Sequence, residues 1–194
     1  VFGVTRGLSS AFPGRVVNAP LSESTIVGTA IGRALAGQRP VAFLQFADFL
    51  PLAFNQIVNE MGTMYWRTNG GWECPVIVMA TCGGYKPGLG PFHSQTMDGF
   101  AVHIPGIDVF MPSTAADAAG LLNAAFDSGR PTIFLYPKSC LNAADGSTSD
   151  EAAKQFVLPA SACQISSGQE LTMVTWGNPV RPCREVVNTL EDAG

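Results

Sequence analysis

An α/β fold built on a parallel sheet, followed by the truncated start of a second α/β domain, is the architecture this sequence predicts. Three observations lead to it. Apolar runs of strand length fall at residues 40–46, 75–81, 107–111 and 132–136. Segments of helical period separate them, and strands that alternate with helices imply parallel pairing with both sheet faces covered. Last, 46% of the residues are hydrophobic and only 13% charged, a low share for a free monomer, so part of the surface is expected to meet other chains.

Taken in order, residues 1–12 carry Val4, Leu8 and Phe12 at helical spacing and end at Pro13-Gly14. Residues 15–18 read as a short strand ended by Pro20. Ser22 is a fair N-cap for a helix running to Ala36, with Gly37 as its stop signal. Ile26, Val27, Ala30, Ile31, Ala34 and Leu35 make this helix apolar almost all round, so Glu23, in its first turn, is expected near a core. Favouring the helix dipole would be the ordinary task of such an acid. After the strand at 40–46, Asp48 is read as the cap of one long helix to about Arg67, with Pro51 in its first turn and Gly70-Gly71 past its end.

Beyond the strand at 75–81, residues 82–95 hold Gly83, Gly84, Gly88, Gly90 and His93, a long glycine-rich loop of the kind that often carries function. A short helix, the strand at 107–111, a helix from Thr114 to about Ser128 and the strand at 132–136 complete the alternation. Residues 138–159 turn towards Ser, Ala, Asp and Gly and lose periodicity, as a linker would. A strand at 171–176 and a helix from Arg181 onward are too little for a core of their own, which places the chain's end inside its second domain.

Several functions are disfavoured. A net charge of -4 gives no basic footprint for nucleic acid. The apolar run 40–54 is interrupted by Gln45 and Asp48 and falls short of the ~20 residues that span a bilayer. The five cysteines have no zinc-type or thioredoxin-type spacing, and we read them as reduced and mostly structural. Two histidines argue against a transition-metal cage, so no metal ligands are assigned. Neither a P-loop, a dinucleotide fingerprint nor a G-x-S-x-G elbow is present, and adjacent His93 and Ser94 cannot form a nucleophile–base pair. No signal peptide is visible, although the chain opens on Val1 rather than methionine, which leaves the natural start and the localisation open. What remains is Glu23, the run Gln45-Phe46-Ala47-Asp48-Phe49 and His93, all where strands hand over to helices or loops.

These residues also carry a resemblance. Pro20-Leu21-Ser22-Glu23, Gln45-Phe46-Ala47-Asp48-Phe49, Gln56-Ile57-Val58-Asn59-Glu60, His93-Ser94-Gln95, His103-Ile104-Pro105-Gly106 and Pro137-Lys138 resemble, in order, β subunits of 2-oxoacid dehydrogenase first components. Those are thiamine-diphosphate enzymes of the transketolase-like superfamily. The resemblance implies a pyrimidine-binding domain at 1–140, a linker at 141–159 and the beginning of a transketolase C-terminal domain at 160–194. It implies Glu23 and His93 as catalytic residues. Glu23 would hydrogen-bond the cofactor's aminopyrimidine, and His93 would face the substrate as carboxylate binder or proton donor. Leu21, Glu23, Gln45 and Phe49 would line the cofactor pocket, Phe49 keeping the ring face of the family's usual tyrosine.

The implied reaction is oxidative decarboxylation of a 2-oxo acid with acyl transfer to a lipoyl carrier, leaning towards branched-chain over pyruvate type. Implied partners are an α subunit or fused α-like domain in an α2β2-type assembly, and a lipoyl acyltransferase. Mg²⁺ and the diphosphate are expected on the α side, because the Gly-Asp-Gly…Asn signature is absent here. A cytoplasmic location is implied, or the mitochondrial matrix in a eukaryote. Some relatives bind a monovalent cation with an Asp and an Asn where this chain has Ser128 and Arg130. The loop before His93 also departs from the family's usual sequence. Competing readings are a transketolase or deoxyxylulose-phosphate synthase type of enzyme, and a non-catalytic assembly or regulatory subunit of the same fold.

Overall fold

Strands β1 (Val41–Leu44), β2 (Ile77–Cys82), β3 (Asp108–Phe110) and β4 (Thr132–Pro137) pair in the order β1-β2-β4-β3, every pairing parallel. The computed structural model describes residues 3–84, 89–144 and 146–193. Helices α1 (Leu8–Ala11), α2 (Glu23–Leu35), α3 (Met64–Arg67), α4 (Asp98–Ala101), α5 (Ala115–Ser128) and α6 (Val180–Ala193) complete the regular α-helical elements described.

The side-chain alternation of the strands divides two cores. Ala42, Leu44, Val78, Ala80, Cys82, Ile133 and Leu135 face α2 and the segment that follows β1. Phe43, Ile77, Met79, Phe110, Phe134 and Tyr136 face α5 through Leu121, Leu122, Ala125 and Phe126. Helices thus cover both faces, as the composition of the strands required. Fully buried Leu44, Leu50, Ile57, Ile133 and Leu135 each contribute about 1.5–3 kcal/mol through loss of water contact.

Helix α2 begins after Ser22 and stops at Ala36, with Gly37 in the left-handed region at φ 83°, as the stop signal predicted. The Ser22 hydroxyl does not cap the helix. It pairs with the Thr25 hydroxyl at 3.0 Å and lies 3.4 Å from that of Ser24. Helix α5 is closed at its start by a reciprocal capping box between Thr114 and Asp117.

Four expectations are corrected. Residues 15–18 and 171–176 form no strand, and both segments are mostly exposed, with no neighbouring strand to pair with. The N-terminal helix is reduced to the four residues of α1. The long helix expected from Asp48 to Arg67 is broken into a 3₁₀ turn at Ala47–Ala53, a π turn at Gln56–Met61 and α3. Phe46 is the residue flanking the start of that 3₁₀ turn, and Asp48 lies inside its first turn. The break has a physical source. Pro51 has no N–H to give inside the tight 3₁₀ segment, and the wider π turn that follows keeps Leu50, Ala53, Ile57, Met61 and Met64 on the core side.

Residues 138–159 do not hang free. Asn123 of α5 donates from Nδ2 to the carbonyls of Ala152 (3.0 Å) and Gln155 (2.7 Å), and Val157 packs so closely on Gly120 that no Cβ would fit there. Tyr85, Lys86, Pro87 and Gly88 of the glycine-rich loop lie outside the described residues.

Candidate functional site at the carboxyl ends of the strands

Residues 36–40 return the chain from α2 into β1, so the start of α2 lies at the end of the sheet where strands finish. Gln45-Phe46 follows β1, Cys82 ends β2 and leads to the His93 loop, and Lys138 follows β4. The candidate residues therefore gather at the sheet's carboxyl edge, where parallel sheets commonly hold ligands.

Glu23 is 9% exposed, in the first turn of α2 and beside the apolar row Val27, Ala30, Ile31 and Ala34. Among the described residues no hydrogen bond or ion pair reaches its carboxylate. Leu21 sits two positions earlier and is 85% exposed, so it lines no enclosed pocket within this chain. Gln45 is exposed as well, and its backbone carbonyl accepts from the buried Thr81 hydroxyl at 2.6 Å, fastening the end of β1 to β2.

Phe49 and His93, far apart in sequence, are brought together by Phe46. The Phe46 and His93 rings meet edge-on with centroids 4.5 Å apart, and Phe49 stands 6.0 Å from Phe46 and 5.8 Å from His93, both T-shaped. His93 Nδ1 lies 3.2 Å from the Leu89 carbonyl. A carbonyl only accepts, so Nδ1 carries the proton in that bond and the neutral ring leaves Nε2 as an acceptor.

Two further residues, Phe46 and Lys138, were quoted within motifs but not assigned to the site by sequence reasoning. Lys138 is 3% exposed, donates to the His93 carbonyl at 2.8 Å, and holds its ammonium 5.1 Å from the centre of the Phe46 ring. Burial pushes its pKa down, while the nearby Asp48 carboxylate and Cys82 thiol act the other way. The signal for it was a lysine placed directly after a strand whose six residues are all buried. Asp48 takes the Gln95 N–H at 3.2 Å with one oxygen, and the other is buried without a hydrogen-bond partner among the described residues. Cys82 is fully buried, which pushes its thiol up to about 12 and leaves it unreactive. The Arg130 guanidinium pairs in a fork with Asp108, at 2.8 and 3.1 Å. Among the described residues no three His, Cys, Asp or Glu side chains cluster as metal ligands.

A buried acid at a helix start, with an aromatic–histidine cluster on the same edge of a parallel sheet, gives an α/β domain whose candidate site carries ionisable groups at the strand ends. Comparison with known proteins gives the class its family. The chain belongs to the transketolase pyrimidine-binding-domain family, whose model matches residues 1–143. It is 37% identical to the 2-oxoisovalerate dehydrogenase subunit beta of Bacillus subtilis, over 100% of this chain and 59% of the relative. It is 36% identical to the acetoin:2,6-dichlorophenolindophenol oxidoreductase subunit beta of Cupriavidus necator, over 100% of this chain and 56% of the relative. Against the pyruvate dehydrogenase E1 component subunit beta of Acholeplasma laidlawii the identity is 33%, with 100% of this chain and 59% of the relative covered. The chain thus spans somewhat more than half the length of these relatives. Among solved structures, the inactive beta4 tetramer of a split-gene transketolase superposes with a TM-score of 0.77 at 22% identity, over 100% of this chain and 60% of that one, which speaks for the fold. No helix among the described residues is long and apolar enough to cross a membrane.

Proposed function

We propose that this chain is the β portion of a thiamine-diphosphate-dependent 2-oxoacid dehydrogenase, of branched-chain or pyruvate type, which decarboxylates a 2-oxo acid oxidatively and delivers the acyl group to a lipoyl carrier. The observation that carries the reading is Glu23. The residue is 9% exposed beside an apolar row, and among the described residues nothing bonds to its carboxylate. A ring nitrogen of an aminopyrimidine would supply the missing partner, and Glu23 would hold and return a proton there through a carboxylate oxygen. Phe49, half-buried against His93, would offer its ring to the pyrimidine face, with Leu21 and Gln45 at the margin of the pocket. When bound, the cofactor supplies an electron sink for the electrons released on decarboxylation.

His93 would meet the substrate through Nε2, since Nδ1 is engaged with Leu89. In its charged form it binds a carboxylate or gives up a proton, and in its neutral form it accepts one. The diphosphate end is a different matter. The sequence lacks the Gly-Asp-Gly…Asn signature, and the described residues hold no three-ligand cluster for Mg²⁺. That end is assigned to an α subunit or α-like domain, with an α2β2-type assembly and a lipoyl acyltransferase as further partners. The three relatives named as beta subunits support such a division. Residues 1–140 then form the pyrimidine domain, 141–159 a linker and 160–194 the start of the next domain. A cytoplasmic location goes with this reading, or the mitochondrial matrix in a eukaryote, where a relative from Dictyostelium discoideum is named mitochondrial.

The test is cofactor binding and 2-oxoacid decarboxylation by the complete subunit with its α partner, wild type against Glu23→Gln. The amide keeps the size of the side chain and removes its capacity to take a proton, so turnover should fall by about 10²–10⁴ with the fold kept. A parent complex that neither binds thiamine diphosphate nor decarboxylates overturns the reading, as does a fully active glutamine variant.

A further inference from the structure

From the geometry at the carboxyl edge of the sheet we infer that Lys138 is a positioning residue for His93. Its ammonium fixes the backbone of the loop that carries the imidazole and the aromatic ring on which the imidazole rests. The inference builds on the proposed role of His93 and adds a second residue to it.

Three observations support it. The ammonium donates to the carbonyl of His93 itself, at 2.8 Å, rather than to a neighbouring residue of the loop. It also lies 5.1 Å from the centre of the Phe46 ring, and Phe46 is the ring packed edge-on against the imidazole at 4.5 Å. Finally, Lys138 is only 3% exposed and follows β4, whose six residues are all buried, so its backbone is anchored in the sheet. A lysine free to choose would keep its ammonium in water. This one is held inside, with burial lowering its pKa and Asp48 and Cys82 partly offsetting that effect. The Asp48 carboxylate accepts from the Gln95 N–H, two residues past His93, so the same loop is gripped at His93 and again just beyond it by groups that follow different strands.

This arrangement gives the lysine a task that core filling would not. The Gly83 N–H donates to the Gln95 carbonyl at 3.0 Å and ties the ends of the glycine-rich stretch together, but at His93 itself the N–H reaches the Gly90 carbonyl only at 3.4 Å. Removing the ammonium frees the His93 carbonyl and the Phe46 face together, and the imidazole loses its fixed distance from the opening.

The experiment takes the complete subunit, assembled with its α partner and without added cofactor, and compares hydrogen exchange in the peptide spanning residues 90–95 for wild type, Lys138→Met and Lys138→Arg. Loss of a charge-assisted hydrogen bond should speed exchange there by about tenfold or more in the methionine variant. The arginine variant, which retains charge and donors, should recover most of the protection. Turnover supplies the second reading. If Lys138 acts through His93, Lys138→Met lowers kcat/KM in the wild-type background and has much less effect once His93→Ala is present. Unchanged exchange at 90–95 overturns the inference, and so does an equal fold-loss in both backgrounds. Should the methionine variant fail to assemble, Lys138→Gln, which keeps donors without the charge, takes the same two readings. If the parent complex shows no turnover at all, the proposed function fails, and the exchange reading still decides the role of Lys138.

Discussion

Replacing Gly106 with alanine probes a tight backbone crossing. Gly106 has φ 80°, and a Cβ built there collides with the backbone carbonyl of Gly62, directly after the π turn. The crossing is tight from both sides, since a Cβ on Gly62 would come within 2.8 Å of the Pro105 carbonyl and 3.1 Å of that of Val58. Holding alanine in the left-handed region costs about 1–2 kcal/mol. Forcing a methyl against unyielding backbone adds roughly 1–3 kcal/mol. The sum, about 2–5 kcal/mol, corresponds to a drop in Tm on the order of 10 °C for a domain of this size. Thermal and urea unfolding of the Gly106→Ala subunit would read it. Gly32→Ala is the matched control, because nothing lies within 4 Å of that position inside α2. There the change should be neutral or stabilising by up to about 1 kcal/mol. A Gly106→Ala protein within about 1 kcal/mol of the parent would refute the crossing as described.

Two further outcomes follow from charges and thiols. Burial pushes Cys74 up to about 11 and Cys82 up to about 12, so in the fold both stay protonated after the unfolded chain has begun to lose those protons near 9. Their contribution is therefore fully present below pH 9 and is lost as pH rises towards 11–12. Urea midpoints should fall between pH 8 and 10.5 in the parent, and fall less in a Cys74→Ala/Cys82→Ala variant; equal falls would count against the burial argument. The Arg130–Asp108 fork ties β3 to the turn before β4, yet the arginine side chain is 56% exposed. Arg130→Ala should cost less than about 1 kcal/mol in urea unfolding, and less again at high salt.

The strands were legible because each is a short apolar run bounded by turn residues, and Thr114 with Asp117 three residues on announces the start of α5. The segment 48–67 was not. Leu50, Ala53, Ile57, Met61 and Met64 recur at helical spacing and are all buried, so their period cannot distinguish one helix from a tight turn followed by a wide one. Pro51, the source of the break, is tolerated in the first turn of an ordinary helix, so its presence does not announce one. The segments at 15–18 and 171–176 have strand composition, but a strand exists only where a neighbour offers its ladder. At the site, Glu23, Phe49 and His93 lie where strands hand over to helices or loops, and it was the resemblance of their motifs, not residue type alone, that singled them out. Lys138 was not among them, because its partner is a backbone carbonyl 45 residues away in sequence, and backbone leaves no mark in the pattern.

Residues 176–178 return to the strand ends long after the family match stops at 143. The Trp176 indole donates to Asp98 at 3.2 Å, Gly177 at φ 63° lies flush against Met111 and Pro137, and Asn178 fills the space over Gly83. A boundary drawn by likeness is therefore not a boundary of contact. Whoever recombines this domain with the tail of a relative inherits a three-residue patch whose fit was settled against four separate points of the host. Junctions placed beyond 178 carry that fit intact, whereas a junction at 143 replaces it with whatever the donor brings.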